Sequence, residues 1–99
     1  MKAILASGTL ALALPTLAFA HGNTIDATND SVVEVLKIFK ATESDATKAA
    51  FRGIKAWPKD DSILAKVYFM SGQNEISLNY MCMMEHSGGN DRMTCHKQQ

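Results

Sequence analysis

The motifs that carry catalysis are missing from this sequence of 99 residues. It contains no H-E-x-x-H, no Walker loop, no G-x-G-x-x-G and no placeable Ser-His-Asp set, so the common hydrolase and nucleotide-binding chemistries find no support. Asp60-Asp61 is a paired acid, but it stands in a turn with Pro58 and Lys59, where solvated turn chemistry accounts for it. Glu85 and Asp91 flank His86 at the tip of an open hairpin, which offers no pocket to desolvate an acid–base pair. The expectation is a protein that is not an enzyme.

Charge of one sign is also lacking. Ten Lys and Arg face ten Asp and Glu, and no long block of either sign occurs. Without a basic stripe, electrostatic binding of nucleic acid has no basis. No repeat or low-complexity segment appears. Cysteine is limited to Cys82 and Cys95, a spacing far too long for a C-x-x-C metal or redox motif.

No hydrophobic run is long enough to span a membrane. Ala3 to Leu14 is interrupted by Ser7 and Gly8, is followed by Pro15, and falls short of the roughly 20 residues a span requires. With Lys2 before it and Ala18-Phe19-Ala20 after it, this stretch reads as a signal peptide over residues 1–20. Cleavage leaves a mature chain starting at His21, with no cysteine there to take a lipid anchor and no remaining membrane span. The expected location is the periplasm or the extracellular medium.

About 80 residues then form one small domain, which buries only about 60–65% of its unfolded surface and needs reinforcement. In an oxidising compartment the two cysteines supply it as a disulfide. Closing so short a loop contributes roughly 3 kcal/mol.

The last twenty residues organise what is present. They hold both cysteines, His86 and His96, and four of the six methionines. Placing Cys82 opposite Cys95 on antiparallel strands sets Met81 against His96, Met83 against Thr94, Met84 against Met93 and Glu85 against Arg92. His86 and Asp91 close the pair around a Ser87-Gly88-Gly89-Asn90 loop.

Upstream, His21 to Asp30 are polar and read as a flexible leader. Ser31-Val-Val-Glu34 fits a capping box, and Val32, Val35, Leu36 and Phe39 follow at helical spacing. That face can extend through Ala46, Ala49 and Ala50, or a second cap at Thr42–Asp45 can break the helix in two. After it come short runs at strand spacing, 51–57, 63–70, 76–85 and 92–97, separated by turn residues. Gly72 suits a type II′ turn that pairs Ser71 with Asn74, Phe69 with Ile76, Val67 with Leu78, Ala65 with Tyr80 and Ile63 with Cys82. The first strand is ambiguous, because Phe51 and Trp57 point to the side opposite Ile54 and Ala56.

The fold class is α+β: an N-terminal helix on a four-stranded antiparallel meander over 31–99, its C-terminal hairpin stapled by the disulfide. This element order is similar to that of cystatin-like domains. The Q-x-V-x-G first hairpin of cysteine-protease inhibitors does not occur in it.

The face away from the helix carries Leu64, Tyr68, Met70, Met81 and Met83, an apolar patch where polar residues are expected. It suits docking of an exported or envelope protein, or of a second copy of the chain. It also suits a soft metal. Met81, Met83 and His96 share the face as a thioether–thioether–imidazole set of the kind that selects Cu(I). His86 or Met93 would need a changed loop or register to join them. His21, as a mature N-terminus, would offer an amine and an imidazole to Cu(II). A His-Gly start resembles that of copper-dependent lytic polysaccharide monooxygenases, over those two residues alone.

Overall fold

Four residues spaced four apart, Ala27, Ser31, Val35 and Phe39, make the buried stripe of the first helix, α1 (Thr24–Thr42). The computed structural model describes residues 24–87 and 89–99. The expected signal peptide and His21 lie outside them.

The helix starts earlier than its sequence suggested. Residues 24–30, expected as a leader, are its first two turns, and Ala27 there is buried in the core. Ser31, expected as a cap, stands mid-helix, fully buried, donating its hydroxyl to the Ala27 carbonyl at 2.9 Å. That bond satisfies the hydroxyl locally, so a serine is tolerated against the sheet. With Ala27 and Ser31 included, the stripe rotates: Val35 and Phe39 stay inside, while Val32 and Leu36 are only half-buried.

At Thr42 the helix ends, and a one-turn helix α2 (Asp45–Ala49) follows. Ser44 has extended backbone angles and accepts a hydrogen bond from the Thr47 N–H at 3.2 Å, so the cap within Thr42–Asp45 is used. The helical face does not run on. Ala46 and Ala49 are exposed, and α2 buries no residue.

The rest is one antiparallel sheet of β1 (Phe51–Lys59), β2 (Ser62–Ser71), β3 (Asn74–Ser87) and β4 (Asn90–Lys97), in sequence order. Both expected registers are present, from Ser71 opposite Asn74 to Ile63 opposite Cys82, and from Met81 opposite His96 to Ser87 opposite Asn90. Gly72, at φ 65°, provides the left-handed residue of the β2–β3 turn at no steric cost. In the β1–β2 turn Asp60 adopts φ 57°, a region where Asp is among the better-tolerated residues.

A register shift between Phe51 and Gly53 settles the first strand. The extra residue of a bulge resets the alternation of faces. Phe51 pairs with Phe69 and Ile54 with Val67, so both meet the helix, while Trp57 pairs with Leu64 on the other side.

The core lies between α1 and the inner sheet face. Val35 and Phe39 pack with Ile63, Ala65, Val67, Tyr80, Cys82 and Cys95. The Phe39 ring centroid is 6.0 Å from that of Phe51 and 6.4 Å from that of Phe69. The Cys82–Cys95 disulfide forms between directly opposed residues on this face. Lys97 donates to Glu43 at 3.0 Å, joining the last strand to the junction of the two helices.

Tyr80 is 1% exposed, and its hydroxyl has no hydrogen-bond partner among the described residues. Burial raises its pKa above the ordinary 10.0, and the charge of Glu43 adds to the rise. The folded state therefore holds the phenolic proton more tightly than the unfolded chain does. Its stability is intact below pH 10 and falls as pH rises through the folded value. Tyr80→Phe is expected to leave stability at pH 8 unchanged or raise it by about 1 kcal/mol, because an unsatisfied buried hydroxyl is removed without loss of volume. It should also lessen the decline above pH 10. Urea midpoints of both proteins at pH 8 and 10.5 test this; a clear loss at pH 8 would show that the hydroxyl has a partner.

Candidate binding face

Strand alternation and the observed registers put one row of side chains across all four strands on the outer face: Trp57, Leu64, Met81 and His96. Met83 is next along β3 on the same face, opposite Thr94. Trp57, Leu64 and Met81 shelter one another to half-burial, His96 is exposed, and Met83 keeps 45% of its surface in water. Ser62, two residues from Leu64 on this face, is buried. The cluster is apolar at its centre and open at the β4 side.

The patch is less extensive than its sequence suggested. Lys55, Lys66 and Asn79 form the next row, so Tyr68 and Met70, both half-buried, stand beyond a polar band. The bulge at Arg52 brings Trp57 in. Its facing was open in the sequence because a one-residue shift in β1 leaves no mark on composition.

The proposed metal ligands divide by face. Directly opposed positions in a sheet have Cβ atoms about 4.5–5.5 Å apart, so Met81 and His96 stand close enough to share an ion, with Met83 one step along. His86 and Met93 occupy the inner side with the disulfide. The observed register keeps them there. Met93 packs on the core, and His86 is paired through Nδ1 with Asp91 across the hairpin. No group of three His, Cys, Asp or Glu side chains suited to a metal occurs among the described residues. An ion on the outer face would rest on thioether sulfur and imidazole. Asp60, Asp61 and Glu85 are exposed.

A second apolar surface escaped the sequence reading. Val33, Leu36, Phe39 and Phe51 line an open cleft of about 600 Å³ beside Lys37, Lys40 and Lys48. The available signal was Val33, an apolar residue outside the helical stripe that remains 63% exposed.

Comparison with protein-family profiles, with characterised proteins and with solved structures finds no match. No helix among the described residues is long and apolar enough to cross a membrane.

Proposed function

We propose that this is an exported, non-enzymatic binding domain that docks a protein partner on the outer face of its sheet. One observation carries the reading: the Trp57–Leu64–Met81 row, continued by Met83, forms an apolar cluster on the side of the sheet away from α1. Aromatic and Met side chains are enriched in interface cores, and Met adapts its shape to a partner. The N-terminal stretch of signal-peptide character supports export, so the partner is an exported or envelope protein, or a second copy.

A photo-crosslinking residue at Met83 tests the reading. Crosslinks to a defined partner or to another copy are expected in the exported fraction, and Trp57→Glu should remove them. The same probe at Lys55, within the polar band, should give none. Failure to crosslink at Met83, with a monomeric mass by light scattering, would overturn the reading.

A second reading is favoured by the direct opposition of Met81 and His96, with Met83 beside them. These three would supply sulfur, sulfur and nitrogen to Cu(I), for which such soft donors are selective.

A further inference from the structure

We propose that the cleft between α1, α2 and the start of β1 binds the anion of a medium-chain fatty acid, its tail over Val33, Leu36 and Phe51 and its carboxylate among Lys37, Lys40 and Lys48. The site is separate from the outer sheet face and independent of its partner.

The floor is aromatic. Phe51 keeps 40% of its surface exposed, and the buried Phe39 backs it at 6.0 Å between ring centroids. Val33 and Leu36 supply the aliphatic wall, and the volume of about 600 Å³ lies within the roughly 300–1,000 Å³ of small-molecule sites. Such sites combine an apolar lining with few polar groups that fix orientation.

Here every charged lining residue is a lysine. The nearby carboxylates do not cancel them. Glu34 pairs with Lys37 and Asp45 with Lys48, each at 3.4 Å, but Lys37 and Asp45 project into solvent, where such pairs are weak. Lys48 also donates to the Lys40 carbonyl at 3.2 Å, which holds its ammonium at the cleft. Lys40 makes no ion pair among the described residues.

This charge pattern selects the occupant. A second copy meeting the first through the same face would oppose lysine to lysine. An uncharged apolar ligand would leave the Lys40 ammonium without a counter-charge. One anionic head on one flexible tail satisfies both the rim and the floor, and the concave shape takes a single chain better than it takes a flat lipid surface.

The test is calorimetric titration of the disulfide-intact protein with laurate below its aggregation threshold, and with 1-dodecanol as the uncharged control. Laurate should bind one to one and at least about tenfold more tightly than the alcohol, and Val33→Asp should weaken it by about tenfold or more. Val33 is exposed enough for that variant to fold, which circular dichroism checks. Lys40→Ala/Lys48→Ala should bring laurate down to the alcohol's affinity. Trp57→Glu, on the other face, should leave laurate binding unchanged, so failure of the docking reading and failure of this one are distinguishable. No laurate binding, equal binding by Val33→Asp, parity of acid and alcohol, or binding confined to phosphatidylglycerol vesicles would each overturn the proposal.

Discussion

Reduction of the Cys82–Cys95 bond is expected to lower stability by about 3 kcal/mol, the contribution of a cross-link closing a loop of this size. Small domains have total stabilities of about 5–15 kcal/mol, and one this short belongs at the lower end. Reduction should therefore bring a substantial unfolded population within reach at 37 °C. The position of the bond adds to the effect. Cys82 is fully buried and Cys95 is 7% exposed, within the cluster that receives Val35 and Phe39 from α1. Loosening β4 from β3 would also release Lys97 from Glu43, the contact that holds the last strand to the helical end. Urea unfolding of oxidised and reduced protein, with free thiols counted by alkylation, measures this. An unchanged midpoint with both thiols alkylated would show that packing alone holds the hairpin.

The hairpin was legible in the sequence because independent constraints coincide on one register. A cysteine pair, an opposed Glu85/Arg92 and a glycine turn all require Cys82 opposite Cys95. Likewise, Gly72 and the apolar runs of β2 and β3 admit a single alignment, since a slip by one residue would turn Ile63, Ala65 and Val67 to solvent.

The helix was harder to read, for a physical reason. Its first turns carry Thr24, Asp26, Thr28, Asn29 and Asp30, a composition that favours loops, and only Ala27 and Ser31 face the sheet. Tertiary contact with small residues decides the boundary there, and propensity does not register it. Ser31 resembles a cap from sequence because it precedes Val32, Val33 and Glu34, yet its hydroxyl bonds backward to Ala27. The facing of Trp57 depends on the irregularity between Phe51 and Gly53, which is a property of the pairing with β2. The candidate site was thus legible in β2, β3 and β4 and hidden in β1. The lysine-rimmed cleft was hidden altogether, because it needs α1, α2 and β1 brought together.

On the copper reading, Met81→Leu/Met83→Leu/His96→Ala is expected to weaken Cu(I) binding by more than about 100-fold. Loss of outer-shell partners alone costs metal sites about 10–100-fold, and this variant removes the donors themselves. The measurement is competition against a chromophoric Cu(I) chelator, with the disulfide intact. Geometry limits which residues matter. His86 and Met93 lie on the inner face, so His86→Ala should leave Cu(I) affinity unchanged; a large loss there would demand a rearranged hairpin. The double variant Met81→Leu/Met83→Leu is the more discriminating protein. Leucine keeps nearly the volume and apolarity of methionine, so a protein-docking surface tolerates it, whereas an ion held by sulfur does not. Tight one-to-one copper binding lost in the double variant, with crosslinking at the β3 face also lost, would make the metal part of the interface. Copper binding lost with crosslinking retained would separate the two roles. No competition at micromolar chelator would reject the copper reading and leave Trp57, Leu64 and the two methionines as an apolar contact surface.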